Sequence, residues 1–329
     1  MNLPRLQRVE RPEHYIQRAF NATRKSKKSK SRIVLQREKD QTLQKIRLFK
    51  DKIQEDLHNL LTSFPTLSDL ALFYQELVRI MIGEPELKQA LSRLKGISLR
   101  MNPIFKDYSY RIKTSRNLEH ILKLKREMEG RLISLLKRGR PAFLFLEASR
   151  RKYVEFPRLK TKMPTVCITG FPNVGKTTLL KNLSGARVVI RPYPFTTQEL
   201  KVGYLEEDWQ VLDTPGTLNR FNKMNSMEQQ AYLAMDLLGN TIIYVFDLSE
   251  TCGYPFKNQL RLFKRLRKWF KNKRWIIFWA KKDLLNEDQI AMFSRMFQDI
   301  SSYSEVTELK SFLQRKWPSH TTISYGIIF

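Results

Sequence analysis

The chain has 329 residues, and 60 lysine and arginine residues against 32 acidic residues give it a formal net charge of +28. A chain of this length predicts two domains, each able to bury a core, and excludes a single small module. So large a positive charge attracts polyanions, and we expect nucleic acid or an anionic membrane nearby. No apolar run approaches the roughly 20 residues that span a bilayer, and no amino-terminal signal pattern is present. We therefore expect a soluble protein with no membrane partner.

Residues 1–39 are expected to form a basic flexible segment. The run from Arg24 to Arg32 has six basic residues, no acid and no large apolar side chain. Such a run cannot bury enough surface to order itself. It is either a solvated tail or an arm that binds phosphate groups, and the sequence leaves both interpretations open.

Residues 40–160 predict a helical domain, because apolar residues recur at three- and four-residue steps. The first helix stops before Pro65, and a short second helix follows it. A third covers about residues 86–113 with an interruption near Pro103, and a fourth begins near Ser115. Helices with these apolar faces are expected to pack as an antiparallel bundle.

The pattern changes between Phe156 and Pro164, where two prolines and a basic stretch predict a domain boundary. From residue 161 to 318, short β-rich runs alternate with helical stretches, which is typical of a mostly parallel α/β sheet. Residues 319–329 are expected to form a short tail. The β-rich runs are Val166–Thr169, Trp209–Leu212, Thr241–Phe246 and Trp275–Trp279.

A glycine-rich segment, Gly170–Thr177, matches GxxxxGK[ST] between a predicted strand and a predicted helix. Its glycines let the chain curl so that backbone amides point at nucleotide phosphates at a helix amino terminus. The Lys176 ammonium is expected to reach the β- and γ-phosphates, and the Thr177 hydroxyl to ligate Mg²⁺. The alternative is a purely structural glycine turn. The predicted phosphate contacts are Asn173, Val174, Gly175, Lys176, Thr177 and Thr178.

A second motif, Asp-Thr-Pro-Gly from Asp213 to Gly216, follows another predicted strand. It lies at the carboxyl end of that strand, where open α/β sheets bind ligands. Asp213 is expected to hold Mg²⁺ through water and the Gly216 amide to contact the γ-phosphate, although these four residues also make a good turn. Between the two motifs, Tyr193–Thr197 is either a switch loop ordered by Mg²⁺ and the γ-phosphate or a surface turn.

A third motif, Ala-Lys-Lys-Asp at Ala280–Asp283, stands where a guanine-specific protein carries Asn-Lys-x-Asp. The Asp283 carboxylate can accept hydrogen bonds from the ring N–H and the exocyclic amine of guanine, whereas adenine lacks that pair of donors. Ala280 replaces the asparagine and loses hydrogen bonds worth about 1 to 3 kcal/mol if left unmatched. We expect a preference for guanine with weakened binding.

These motifs together resemble one protein family. GFPNVGKT, YPFTT, DTPG and AKKD occur with DLSETCGYP at Asp247–Pro255 and with SFPTLSDLALFY at Ser63–Tyr74. From about residue 40 to 317 the chain is similar to the NOG subfamily of Obg-related P-loop GTPases, and TCGYP is more similar to archaeal than to eukaryotic members. The resemblance implies a P-loop GTPase domain with a mostly parallel sheet, preceded by an all-α helical bundle domain. It also implies GTP as substrate and Mg²⁺ as cofactor.

The resemblance assigns phosphate and metal roles as well. It implies that Thr197 ligates Mg²⁺ and that Lys176, Thr197 and Gly216 form the catalytic set. Asn173 matches an asparagine that helps to bind K⁺ in similar GTPases, which implies activation by potassium. Thr217 stands where other GTPases have a glutamine that positions water, so slow intrinsic hydrolysis is expected.

For the guanine base, the resemblance implies that Lys281 and Asp283 contact it and that Ser301 and Ser302 lie behind its oxygen. The implied partners are the precursor of the large ribosomal subunit, its rRNA and other assembly factors, with the chain itself a monomer. The implied location is the cytoplasm for an archaeal-type protein, and the nucleolus if the source is eukaryotic.

Two other functions stay open. Ala280 and the weak final motif favour a P-loop RNA-binding scaffold with little or no turnover, whereas an ATPase would need Asp283 to be bypassed. A group of basic residues is either a strip that contacts phosphates or a solvated helix face. These residues are Lys264, Arg265, Arg267, Lys268, Lys271 and Lys273.

Overall fold

The computed structural model describes residues 6–26, 29, 31–185, 189–192, 199–205, 209–214 and 226–316. The chain divides into two compact units. The helical unit contains residues 6–70 and 78–154, and the α/β unit contains residues 71–77 and 155–316. Among these residues, none of the helices combines the length and apolarity needed to cross a membrane.

Six helices account for most of the first half of the chain. Their buried residues recur at helical spacing, as on α2, where Ile46, Phe49, Ile53 and Leu57 are fully buried. The predicted all-α bundle is therefore confirmed. The helices are α1 (Pro12–Thr23), α2 (Val34–Ser63), α3 (Leu72–Met81), α4 (Glu84–Thr114), α5 (Leu118–Lys137) and α6 (Arg140–Glu155), and a 3₁₀ turn spans Leu67–Asp69.

The expectation of a flexible segment over residues 1–39 is wrong for α1 and for the start of α2. Pro12 stands at the first position of α1, where its missing N–H is not needed, and Glu13 in the first turn is favourable for the helix dipole. Tyr15 and Ala19 on this helix are buried, with the Tyr15 ring 5.1 Å from that of Phe143. Apolar burial orders this segment despite the basic residues that follow it.

The interruption predicted near Pro103 is also wrong, because α4 continues through this residue. Proline removes one backbone hydrogen bond and crowds the preceding turn. Met101 and Tyr108 on either side are almost completely buried. Their packing offsets the local cost and keeps one continuous helix.

The α/β unit is built on a seven-stranded sheet of order β2-β3-β4-β1-β5-β6-β7. β1 pairs in parallel with β4 and β5, β6 pairs in parallel with β5 and β7, and β3 pairs antiparallel with β2 and β4. The predicted mostly parallel sheet is thus confirmed. The strands are β1 (Thr165–Thr169), β2 (Val189–Pro192), β3 (Glu199–Leu205), β4 (Trp209–Asp213), β5 (Gly239–Asp247), β6 (Arg274–Ala280) and β7 (Ser302–Tyr303).

Five α-helices accompany this sheet in the described part of the unit, and each predicted β-rich run lies within an observed strand. The central position of β1 brings the loops after β1, β4, β5 and β6 to one edge of the sheet, where open α/β sheets bind ligands. The helices are α7 (Lys176–Ser184), α8 (Ser226–Leu233), α9 (Phe256–Trp269), α10 (Glu287–Met296) and α11 (Val306–Lys316), with a π-helical turn at Ala234–Leu238 and a 3₁₀ turn at Lys282–Leu284.

An aromatic cluster fills the space between β5 and helices α9 and α10. Phe246 on β5 is fully buried, and its ring lies 5.5 Å from that of Phe293 and 5.4 Å from that of Phe297. The Phe293 ring is also 4.8 Å from that of Trp279 on β6. Burying aromatic rings this closely is a large source of stability for the unit.

Replacing Phe293 with alanine should lower the free energy of unfolding by about 3–5 kcal/mol, because it opens a cavity in this cluster. Its neighbour Met292 is 63% exposed, so Met292→Ala should change the value by less than about 0.5 kcal/mol. All five tryptophans lie at position 209 or later, so tryptophan fluorescence during urea unfolding reports on the α/β unit. Equal losses in the two variants would contradict this packing.

Candidate nucleotide-binding site

The loop between β1 and α7 has the backbone conformation that its glycines predict. Gly170, Asn173 and Gly175 all have positive φ, at 145°, 61° and 101°. A Cβ on Gly170 would lie 2.6 Å from the Val245 carbonyl oxygen, so no larger residue fits there. This curled loop leads into the amino terminus of α7, where free backbone amides attract anions.

Lys176 begins α7 and lies inside the loop. Its Nζ donates a 2.6 Å hydrogen bond to the Phe171 carbonyl oxygen, and the side chain is largely buried. Burial lowers the pKa of Lys176, while the nearby Asp213 carboxylate opposes that shift. A buried ammonium with one acidic neighbour is well suited to an incoming phosphate.

Thr177 and Asp213 form a direct hydrogen bond between α7 and the end of β4. The Thr177 hydroxyl donates to Asp213 Oδ2 at 2.6 Å, and Asp213 is 8% exposed. Burial raises the pKa of Asp213, while the Thr177 hydrogen bond and the charges of Lys176 and Lys201 oppose the rise. A hydroxyl beside a carboxylate supplies the oxygen donors that Mg²⁺ prefers, so this pair fits the predicted metal.

The predicted switch-loop residues and the end of the Asp-Thr-Pro-Gly motif lie outside the described residues. They are Tyr193–Thr197, which includes the proposed Mg²⁺ ligand Thr197, and Gly216, and the following Thr217 also lies outside. The chain is described as far as Thr214, whose N–H and hydroxyl both donate to the Ile168 carbonyl oxygen, at 3.0 and 2.9 Å. These two bonds attach the end of β4 to β1.

Lys281 adopts a left-handed backbone conformation, with φ 58°, directly after β6. Its Nζ donates to Asp247 Oδ2 and to the Thr251 hydroxyl, both at 2.7 Å. Burial alone would raise the pKa of Asp247, but hydrogen bonds from Lys281 and Ser249 lower it overall. This ion pair joins the base-binding motif to the loop after β5.

The sequence motifs gave Asp247 no role of its own, yet its carboxylate and backbone bind several residues at this edge of the sheet. Its carboxylate also accepts from the Cys252 N–H at 2.8 Å. The Gln259 side chain holds the Asp247 backbone, accepting from its N–H and donating to its carbonyl at 2.9 and 2.8 Å. Tyr254 in the same loop packs its ring 4.7 Å from that of Phe171 in the phosphate loop.

Ala280 ends β6 opposite Asp247 in the strand register. A Cβ built on Gly175 would lie 3.4 Å from the Ala280 Cβ, so the Ala280 methyl lies close to the phosphate loop. An alanine makes no side-chain hydrogen bond to that loop. The two loops are linked instead through the Lys281–Asp247 pair and the Tyr254–Phe171 contact.

A cleft of about 620 Å³ lies next to these groups. Gly175 and Thr178 line one part, the motif at Ala280–Asp283 lines another, and Asp283 is exposed there. Ser304, Glu305 and Val306 also line the cleft, just before and at the start of α11. The other lining residues are Leu179, Asn182, Phe278, Trp279 and Ile290.

Ser301 and Ser302, predicted to lie behind the guanine oxygen, are just before and at the start of β7. Ser302 pairs with Ile277 in the parallel ladder, three residues before the end of β6, and neither serine lines the cleft. Ser304, two residues further on, does line the cleft. The two-residue strand β7 is too short to show a pattern in the sequence, so the sequence offered no signal for this register.

Lys201 on β3 was also missed. It pairs with Asp213 in the antiparallel register, and its Nζ donates to the Thr177 hydroxyl oxygen at 3.3 Å. The site thus contains a second lysine beside the pair that fits Mg²⁺. Only the pairing of β3 with β4 brings it there, and that pairing is not visible in the sequence.

Two family models match the chain. The NOG1 N-terminal helical domain matches residues 4–159, and the model of nucleolar GTP-binding protein 1 (NOG1) matches residues 226–283. The protein MJ1408 of Methanocaldococcus jannaschii is 36% identical over 247 residues, which cover 75% of this chain and 70% of that protein. The chain belongs to the NOG1 family. This membership confirms the resemblance predicted from the motifs.

The eukaryotic relatives of this NOG1-family chain are longer. Nucleolar GTP-binding protein 1 of Caenorhabditis elegans is 32% identical over 250 residues, which cover 75% of this chain and 37% of the relative. A crystal structure of a Plasmodium falciparum protein assigned to nucleolar GTP-binding protein 1 is 26% identical. That match covers 49% of this chain and 89% of the other, with a TM-score of 0.39.

Replacing Lys281 with methionine should reduce the free energy of unfolding at pH 7 by about 1–3 kcal/mol, because the buried Asp247 carboxylate loses its charged partner. The hydrogen bond from Lys281 helps to lower the pKa of Asp247 in the folded protein. The ionised carboxylate therefore stabilises the fold above the ordinary pKa of aspartate, and this stabilisation is lost as pH falls through the lowered pKa. Without Lys281, burial favours the protonated form of Asp247. The stability gap between the two proteins should therefore narrow from pH 7 towards pH 4.5.

The control is Lys282→Met at the next position, where the lysine is more exposed and lies 4.0 Å from Glu305. This change should cost no more than about 0.5 kcal/mol at either pH. Urea unfolding followed by tryptophan fluorescence measures both variants. A gap for Lys281→Met that stays constant with pH would rule out the role assigned to Asp247.

Proposed function

We propose that this NOG1-family chain is a GTP-binding and GTP-hydrolysing assembly factor for the large ribosomal subunit. The observation that carries the proposal is the Thr177–Asp213 hydrogen bond beside the buried Lys176, at the edge of the sheet where Asp283 borders a cleft. Oxygen donors, a phosphate-binding ammonium and a guanine-selecting carboxylate meet there. Several relatives are named nucleolar GTP-binding protein 1, which supports guanine as the base.

Each residue has a defined part in this proposal. The amides at the start of α7 bind the α- and β-phosphates, and Lys176 neutralises charge on the β- and γ-phosphates. Thr177 would hold Mg²⁺ directly and Asp213 would hold it through water, and the bound ion would offset negative charge on the phosphates. Asp283 selects guanine by accepting two hydrogen bonds from its edge.

The proposal extends to loops outside the described residues. Thr197 and the Gly216 amide would lie at the γ-phosphate, and both loops would lose this contact after hydrolysis. Thr217 in place of a glutamine supports slow intrinsic turnover, and Asn173 supports activation by K⁺. The alternative is a P-loop RNA-binding scaffold, which Ala280 in place of the usual asparagine also favours. GTP hydrolysis that stays undetectable with K⁺ and ribosomal particles would support this alternative.

One surface supports the binding of RNA. Residues 257–274 contain nine basic residues and no acid. On α9, Gln259, Leu262, Phe263 and Leu266 are buried, so the basic residues project from the other side. We call this side the basic face of α9; its exposed members are Lys257, Arg261, Lys264, Arg267 and Lys268. Such a face attracts the phosphate backbone of RNA.

The remaining parts of the proposal concern the cellular setting. The chain would act as a monomer together with other assembly factors on precursor rRNA. Its location would be the cytoplasm in a cell without a nucleus and the nucleolus in a eukaryotic cell. The names of the eukaryotic relatives support the second location.

With a non-hydrolysable GTP analogue, the protein should sediment with large-subunit particles at near-physiological salt, and GDP should weaken that binding at least about tenfold. A tenfold change needs about 1.4 kcal/mol of coupling between the nucleotide and particle sites, a modest amount for loops that contact the γ-phosphate. Equal binding to both subunits, insensitive to nucleotide, would contradict the proposal.

Paired charge reversals provide the control. Lys264→Glu with Lys268→Glu on the basic face of α9 should weaken binding to particles and reduce its dependence on salt. Lys123→Glu with Arg126→Glu changes the same charge on an exposed part of α5. If both pairs weaken binding equally, the attraction is that of any polyanion for a basic protein.

A further inference from the structure

Lys201 lies beside Thr177, the residue that would ligate Mg²⁺ directly. Its Nζ is 3.3 Å from the Thr177 hydroxyl oxygen, and that hydroxyl donates to Asp213 Oδ2 at 2.6 Å. The three groups form a chain of hydrogen bonds from an ammonium through a hydroxyl to a carboxylate. The oxygen of Thr177 that would ligate Mg²⁺ therefore accepts from Lys201.

The register of the sheet holds Lys201 at this point. Lys201 on β3 lies opposite Asp213 on β4, and neighbouring antiparallel residues direct their side chains to the same face of a sheet. Lys201 is only partly exposed. A solvated lysine would lack the hydrogen bond to Thr177.

The charges of these groups set what the site attracts. Lys176 and Lys201 carry two positive charges, and Asp213 is the one acidic side chain among the groups described between them. This balance favours phosphate oxygens before any metal arrives. It also opposes a divalent cation, because the ammonium and the metal compete for one oxygen and repel each other.

We propose that Lys201 is a built-in counter-cation for the nucleotide phosphates, which makes guanine-nucleotide binding only weakly dependent on Mg²⁺. The inference rests on the proposed function, because it concerns the same site. When Mg²⁺ is absent, the ammonium supplies positive charge beside Thr177. When Mg²⁺ binds, Lys201 lowers its affinity for the site.

Binding of fluorescent GDP to the full chain, with Mg²⁺ and with EDTA, tests this directly. Removing Mg²⁺ should weaken binding to the wild-type protein by no more than about tenfold, whereas Lys201→Met should lose at least about a further tenfold in EDTA alone. Lys201→Arg keeps the charge and should behave more like the wild type. The control is Lys181→Met, an exposed lysine on α7 that should change nothing.

A second measurement has the opposite sign and excludes general damage. The GDP-bound Lys201→Met protein should bind Mn²⁺, measured by electron paramagnetic resonance, at least about threefold more tightly than the wild type, because a repelling charge is gone. If Mg²⁺ removal weakens GDP binding equally in both proteins, or if Mn²⁺ affinity is unchanged, the role of Lys201 is wrong while the GTP-binding proposal stands. If the wild type binds no guanine nucleotide even with Mg²⁺, both fail.

Discussion

The hydrogen bond between the Thr177 hydroxyl and Asp213 is the interaction on which the site depends. It joins the first turn of α7 to the end of β4, and so connects the phosphate loop to the neighbouring strand of the sheet. β1 lies between β4 and β5, so a displacement of the carboxyl end of any of these strands would move the phosphate loop that follows β1. Lys176 and Lys201 then take their positions around this bond, one in the loop and one on β3.

A second set of contacts holds the base side of the cleft. Guanine-specific sites commonly use an asparagine where this chain has Ala280, and here only a methyl group lies near Gly175. The buried Asp247 instead receives Lys281, and Gln259 fixes the Asp247 backbone from α9. The same helix carries the basic face proposed to contact RNA. A shift of α9 on a particle would therefore reach the base-binding loop through Gln259 and Asp247.

Much of this fold and site was predictable from local patterns. The four β-rich runs and the GxxxxGK[ST] segment depend on residues close together in sequence, so four of the seven described strands were predicted from sequence alone. Lys176, Thr177 and Asp213 were named there as candidate site residues, and the structure brings them together. The family matches agree with the motif set. Asp283, exposed at the cleft, also came from a short motif.

The failures have physical reasons. Helix α1 was missed because the adjacent basic run dominates composition, while its order comes from burying Tyr15 and Ala19 against distant residues. Pro103 predicted a break that tertiary packing overrides. Long-range pairing accounts for Lys201, because the pairing of β3 with β4 brings this lysine to Thr177. The register of the short strand β7 leaves Ser304, and neither Ser301 nor Ser302, at the cleft.

Equilibrium binding of GTP to the full chain, with GDP and ATP as competitors, tests the central claim most directly. The account predicts that GDP competes with GTP and that ATP does so at least about a hundredfold less well, because Asp283 finds no pair of donors on adenine. Lys176→Ala should abolish binding, because its ammonium neutralises the β- and γ-phosphates. Equal competition by ATP, or unchanged affinity in Lys176→Ala, would contradict a guanine-nucleotide site at this edge of the sheet.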